Sequence, residues 1–261
     1  MSHQTKSKDG TVIAYDKLGH GPAVIVVGGV IGDRSQQAPV AELLAKDFTV
    51  FNFDRRGHGE SGDTQPYAVQ REIEDIDAML EAAGGSAFVY GTSGPGVLAL
   101  HAAAAAPGSK MKKLVIWEPP LIVDDSRPKV RSDYKAQLVS MLAEGRRGDM
   151  VELFFTEAVG IPAPFVAQMR QAPWWSAQEA LAHTTVYDAT LMGDYSLPRA
   201  EFARIKVPAL VLDGGQMPWL SNGADAIAKT IPNAQRRTLA GQQHNVDPAA
   251  IAPAIAEFFR R

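Results

Sequence analysis

An α/β fold built on a mostly parallel sheet is what this sequence predicts, and three observations carry the expectation. Short apolar runs recur along the chain, they are continuous rather than alternating, and segments with helical periodicity separate them. Continuous runs suit parallel strands covered on both faces, whereas a strand with one wet face alternates. The segments read as strands fall at residues 23–27, 48–53, 87–90, 113–117, 209–212 and 235–239, with helical patterns at 38–45, 70–83 and 96–106. Such alternation makes βαβ units. Residues 11–18 read as an antiparallel strand at the sheet edge.

One stretch breaks the alternation. Residues 122–204 show helix patterns and no strand, and they hold Met141, Phe154, Phe155, Phe165, Met169, Trp174, Trp175 and Tyr187. A helical insertion between two strands predicts a cap over the C-terminal edge of the sheet, where open α/β sheets bind ligands. The expected organisation is therefore a core from residues 1–121 and 205–261 and a helical cap from 122–204. Trp174 and Trp175 in the cap, and Trp219 beyond the strand at 209–212, are the expected apolar lining of a substrate pocket.

The bulk properties narrow the function. A net charge of -3 gives no pull towards nucleic acid or an anionic membrane. The absence of cysteine excludes disulfides, thiolate nucleophiles and cysteine-bound metals. Residues 1–10 are polar and show no signal segment, and no apolar run is long enough to cross a bilayer. A cytoplasmic protein acting on a small molecule is the expectation, with a homodimer left open.

The segment with most chemical content is Phe88-Val89-Tyr90-Gly91-Thr92-Ser93-Gly94-Pro95-Gly96. An apolar strand runs into small residues and then into a helix. A serine on so sharp a turn has its hydroxyl pushed above the sheet edge, with the helix N-terminus behind it. A phosphate-binding loop is the competing reading, but the segment lacks the lysine of a P-loop and the spacing of a dinucleotide fingerprint.

Together with three further segments, this turn resembles the α/β-hydrolase family. Ser93 stands where the family's G-x-S-x-G serine stands. Val27-Gly28-Gly29-Val30 follows the first parallel strand, as the family's oxyanion turn does. Phe53-Asp54-Arg55-Arg56-Gly57-His58-Gly59-Glu60-Ser61 is similar to the family's D-x-R-G-x-G-x-S loop, and Gly241-Gln242-Gln243-His244 to its terminal G-x-x-H. The resemblance implies an α/β-hydrolase fold, a mostly parallel central sheet flanked by helices with a helical cap inserted. It also implies Ser93 as nucleophile, His244 as its base, and the backbone N–H groups of Val30 and Gly94 as an oxyanion hole. His58, Arg55 and Arg56 are expected to brace their loop, His101 to pack, and Asp247 to cap the final helix ahead of Pro248.

Two positions depart from the family pattern. Pro95 replaces its usual glycine; the required donor belongs to Gly94, and proline is expected to hold Gly94 away from the helical region. Met217 falls where the family carries its acid, and a thioether cannot orient an imidazolium. Glu118, at the end of the strand 113–117, is the first substitute, since some relatives, including certain haloalkane dehalogenases, keep their acid there. Asp213 is the second. The expected activity is hydrolysis of an ester, thioester or lactone with an apolar or aromatic part, without a metal or other cofactor. Carbon–carbon bond hydrolysis on the same fold, or a small-ligand-binding protein with little turnover, are the alternatives.

Overall fold

The computed structural model describes residues 2–261. Eight strands form one sheet: β1 (Ser2–Lys6), β2 (Val12–Leu18), β3 (Ala23–Val27), β4 (Thr49–Phe53), β5 (Ala87–Thr92), β6 (Met111–Trp117), β7 (Ala209–Asp213) and β8 (Ala234–Thr238). Their order is β1-β2-β4-β3-β5-β6-β7-β8. β1 and β2 pair antiparallel with their neighbours, and every pairing from β4 to β8 is parallel.

The sequence predicts the sheet edge at residues 11–18, and the structure corrects this: β2 is an inner strand and β1 is the edge. Ser-His-Gln-Thr-Lys carries no apolar pattern and is largely exposed, so no periodicity marks it. A short, polar edge also discourages pairing with other chains. Met1 lies outside the described residues.

The inner parallel strands are largely apolar on both faces because both are covered, whereas β8, the other edge of the sheet, reads Ala-Gln-Arg-Arg-Thr and is largely exposed, so the apolar run expected there is corrected. Val24 and Val26 of β3, with Leu210 and Leu212 of β7, face a cluster containing Val40, Leu44, Ile255 and Phe259. Ile25, Val27 and Val211 face a second cluster with Ile76, Met79, Leu98 and Ile227. Helices α1 (Ala38–Leu44) and α11 (Pro248–Arg260) therefore cover one face. Helices α2 (Val69–Ala82), α3 (Ser93–Ala104) and α10 (Pro218–Thr230) cover the other. Asp247 caps α11 by accepting from the Ala249 N–H at 2.9 Å.

Between β6 and β7 the chain adds no strand among the described residues. It forms α4 (Tyr134–Ala143), α5 (Arg147–Leu153), a π-helical turn (Phe154–Val159), α6 (Ala163–Met169), α7 (Trp175–Ala180), α8 (Thr184–Met192) and α9 (Arg199–Phe202). Among the described residues, no helix is long and apolar enough to cross a membrane.

The topology decides where chemistry can occur. β3 is flanked by β4 on one side and β5 on the other, so the crossovers leaving its two neighbourhoods diverge. Val27 pairs with Gly91, Thr92 with Trp117, and Trp117 with Leu212. The C-terminal ends of β3, β5, β6 and β7 thus stand in register, and the residues following them meet at one edge.

Candidate active site

Ser93 is the first residue of α3 and follows β5 directly. The turn is tight enough to force Ser93 to φ +56°. It closes because Gly91 and Gly96 touch: a Cβ on Gly91 would lie 2.8 Å from the Gly96 Cα, and one on Gly96 3.1 Å from the Ile116 side chain. The second glycine of the elbow is thus one residue further along than in the family pattern. Pro95 lies in the first turn of α3, where a missing N–H costs no intrahelical bond. The expectation that Pro95 would keep Gly94 out of the helix is corrected, because α3 begins at Ser93 and contains Gly94.

His244 lies in the loop between β8 and α11. Its Nε2 is 3.1 Å from Ser93 Oγ and its Nδ1 is 2.8 Å from Glu118 Oε2. The loop is anchored by the Trp117 indole, which donates to the His244 carbonyl at 2.9 Å. Glu118 is buried, and its other oxygen, Oε1, accepts from the Gly214 N–H at 2.9 Å. Gly214 has no room for a side chain, since a Cβ there would lie 1.8 Å from the Gln242 carbonyl oxygen. β6, β7 and the histidine loop are packed into a single frame.

Asp213, the second candidate acid, points elsewhere. It pairs with Arg236 at 2.8 Å, accepts from the Gly215 N–H at 3.2 Å, and accepts a hydrogen bond from Ser221. The reason is its place at the end of β7 beside the start of α10, where it ties β8 and α10 to the strand. Met217 instead lines the site, as an apolar wall.

Val30 and Gly94 stand beside Ser93 around the same cavity. The Gly94 N–H lies in the first turn of α3, where no intrahelical acceptor exists. Among the described residues, four that are not glycine have positive φ: Ile31, Ser93, Glu118 and Tyr195. Ser93 and Glu118 hold the histidine, Ile31 follows Val30, and Tyr195 lines the cavity. Backbone strain is concentrated at this one place.

Two spaces open from Ser93. The inner one is a cavity of about 100 Å³, walled mainly by Phe154, Val159, Met192, Met217, Trp219 and Leu220. The outer one is a groove of about 780 Å³ whose lining includes Trp174, Gln36, Gln37, Gln243 and Asn245. Trp219 and Trp174 therefore line these spaces. Trp175 does not: it is buried in the helical insertion, where its indole donates to Glu179 at 2.8 Å and its ring packs on Phe155. At adjacent helical positions, the two tryptophans necessarily point to different sides.

The Asp54–Ser61 loop is braced as its charges suggest. Arg55 is fully buried, bonded to Glu72 at 2.7 Å through both Nε and Nη2 and to Asp188 at 2.8 Å. Arg56 holds Asp75 and Asp9. His58 is buried, and burial together with the nearby Arg55 charge holds its pKa down at about 4. His101 pairs with Glu201 at 2.7 Å and lies against Phe202.

Sequence reasoning missed Asp188 and Tyr195 in the cavity wall. A signal for Asp188 existed: Thr184, Asp188 and Met192 lie at i, i+4 and i+8, one face of α8, so a carboxylate interrupts the buried stripe. Tyr195 gave none, since its position depends on an irregular turn.

Comparison with known proteins agrees with this architecture. Residues 24–254 match the model of the alpha/beta hydrolase family. A solved alpha/beta hydrolase from Sphaerobacter thermophilus is 53% identical, covering 98% of this chain and 100% of its own, with a TM-score of 0.93. The pimeloyl-[acyl-carrier protein] methyl ester esterase of Xanthomonas campestris pv. campestris is 27% identical over 233 residues, 88% of this chain and 90% of that protein. An esterase from Thermogutta terrifontis shares the fold at a TM-score of 0.73 and 20% identity, over 100% of this chain and 98% of its own. The chain belongs to the alpha/beta hydrolase family.

Proposed function

We propose that this chain is a serine hydrolase that cleaves a carboxylic ester, thioester or lactone through an acyl-enzyme on Ser93. The observation that carries the reading is the continuous line Ser93 Oγ–His244–Glu118, with contacts of 3.1 and 2.8 Å. In it, His244 Nε2 takes the Ser93 proton as Oγ bonds to the carbonyl carbon. Glu118 keeps the Nδ1 proton in place and stabilises the imidazolium. The N–H groups of Gly94 and Val30 receive the oxyanion. Collapse of the intermediate breaks the acyl–oxygen or acyl–sulfur bond, and the leaving group takes the proton from His244. Water then gives a proton to His244 and attacks the acyl-enzyme, which releases the acid and restores Ser93.

The two spaces divide the substrate at the scissile bond. The smaller apolar cavity takes one side, and the larger groove takes the other out towards solvent. The helical insertion serves as the cap that closes the cavity from above. Support for ester chemistry also comes from the methyl ester esterase among the relatives.

A fluorophosphonate probe tests the reading. The expected result is stoichiometric labelling of the wild-type protein and none of Ser93→Ala. A folded wild-type protein that resists the probe and hydrolyses no ester would overturn it in favour of a binding protein with an idle serine.

A further inference from the structure

The inner cavity, at about 100 Å³, is small as well as mainly apolar. An apolar cavity of about 150 Å³ takes a benzene molecule, so this one has room for about four carbon atoms. Its walls come from separate parts of the chain. Ala158 and Val159 belong to the π-helical turn, Tyr195 follows α8, and Met217 and Trp219 stand at the start of α10. The volume therefore depends on what holds these parts at their distances.

The segment after β6 touches all of them. The Ile122 N–H donates to the Tyr195 carbonyl at 2.8 Å. Leu121 lies close against α10, where a Cβ on Gly223 would be 2.7 Å from the Leu121 carbonyl oxygen. The Asn222 amide of the same helix donates to Asp124 at 2.7 Å. Arg127 then reaches the π-helical turn, its Nη2 donating to the carbonyls of Glu157 at 2.7 Å and Ala158 at 2.8 Å. These carbonyls stand at the C-terminal end of a helical run that begins at Arg147, where intrahelical donors run out and a cation is favoured. The same guanidinium lies over the Trp219 ring, 4.5 Å from its centre. It keeps this place although its Nη1 is buried without a partner among the described residues. One side chain outside the cavity thus joins a wall from the helical insertion to a wall from the core.

We infer that Arg127 is a positioning residue: by tying Glu157 and Ala158 to Trp219 it fixes the volume of the inner cavity, and with it the length of the substrate chain that enters. The inference rests on the reading of Ser93 as an acylating serine and narrows its substrate class to esters whose inner part is a short apolar chain. Without Arg127, the end of the π-helical turn loses its donor and Trp219 its cation, so the walls part and longer chains fit. Lysine keeps a charge that can sit on the ring and donate to the carbonyls, but it lacks the planar fork, so it preserves the limit only in part.

The test is a pair of ester series in a pH-stat, with the spontaneous rate subtracted. Methyl esters from acetate to octanoate lengthen the acyl side, and acetates from methyl to octyl lengthen the alcohol side. In the wild-type protein, at least one series should lose tenfold or more in kcat/KM between its four-carbon and eight-carbon chains, because methylenes that do not fit are rejected. In Arg127→Met, which keeps an unbranched stem without donors or charge, the ratio of the eight-carbon to the four-carbon ester in that series should rise tenfold or more. Its loss on the short esters should appear in KM rather than kcat, as expected for a loosened wall. Arg127→Lys should lie between Arg127→Met and the wild type.

A folded Arg127→Met protein that keeps the wild-type chain-length profile, or that loses all chain lengths by the same factor, would overturn the inference. Should that variant not fold, Arg127→Gln, which keeps one donor but no charge, is read in the same way. A wild-type profile without a fall in either series would overturn it with no variant at all. Turnover of none of these esters, with no labelling by the fluorophosphonate, would instead sink the underlying assignment of Ser93.

Discussion

Replacing Glu118 by glutamine tests the acid assignment most directly, and the structure sets the size of the effect. Both oxygens of Glu118 are engaged, Oε1 by the Gly214 N–H at 2.9 Å and Oε2 by His244 Nδ1 at 2.8 Å. An amide supplies only one acceptor. If its oxygen stays with Gly214, its NH2 group faces Nδ1, and the imidazole must turn Nδ1 into an acceptor. The ring proton then sits on Nε2, the nitrogen 3.1 Å from Ser93 Oγ, which can no longer take the serine proton. A triad with the wrong tautomer loses about 10⁴ in kcat, equivalent to about 5.4 kcal/mol of transition-state stabilisation. Asp213→Asn should lower kcat less than about tenfold, a loss of about 1.4 kcal/mol at most, because Asp213 serves Arg236 and Ser221 rather than the histidine. The assay is kcat for an ester of each folded variant, with circular dichroism to verify the fold. A Glu118→Gln protein within tenfold of wild type, or a folded Asp213→Asn protein that loses three orders of magnitude, would refute the reasoning.

Ser93→Ala should remove at least about 10³ of kcat while leaving the melting temperature within a few degrees; near-normal turnover in the folded variant ends the mechanism. Gly91→Ala should destabilise the protein by about 1–3 kcal/mol through overpacking, because its Cβ would lie 2.8 Å from the Gly96 Cα; urea unfolding with an unchanged midpoint would contradict the packing. His58 should make the protein acid-sensitive. It stays neutral in the fold down to about pH 4, whereas the unfolded chain binds its proton near the ordinary value of 6.5. The unfolded state therefore holds more protons between these values, and stability falls as pH drops from about 6.5 to 4, by about 3 kcal/mol in all. His58→Asn should flatten that part of the stability profile, and an unaltered slope would show that other groups cause it.

How far the sequence reveals this molecule depends on whether position follows from local pattern. Five of the parallel strands, β3 to β7, were legible because apolar runs with glycine turns need no knowledge of neighbours; β8 is polar and was placed only by its position in the alternation. Their ends shifted by one or two residues, as at β6, where Met111 and Lys112 join the strand at its start. Strand β1 was invisible because its pairing comes from β2 and not from its own residues. Ser93, His244 and Glu118 could be named because each sits at a strand end or in a motif, and register then brings strand ends together. Trp175 and Asp188 could not be placed, since both depend on how short helices of the insertion rotate. The stripe of α8 contained the clue to Asp188, but its meaning required Arg55, 133 residues away.

The departure at Met217 gains a reason from this geometry. An acid following β7 would have to occupy the wall between the inner cavity and the outer groove, because Met217 lines both. A carboxylate there would bring charge into an apolar space beside Ser93. With the carboxylate after β6, Glu118 meets His244 while buried and bonded to Gly214, and the wall position is free for an unbranched, adaptable side chain. The cost is local strain, since Glu118 adopts φ +40° to turn its carboxylate towards the histidine loop. That strain is held by the Glu118 N–H bond to the Leu212 carbonyl at 3.0 Å and by Pro119 and Pro120, which restrict the exit of the chain. Restoring an acid by Met217→Asp should therefore not rescue Glu118→Gln. It would place a carboxylate in the cavity wall while the amide oxygen introduced by Glu118→Gln still held the Gly214 N–H, and recovery of more than about tenfold in kcat would show that the two positions are interchangeable after all.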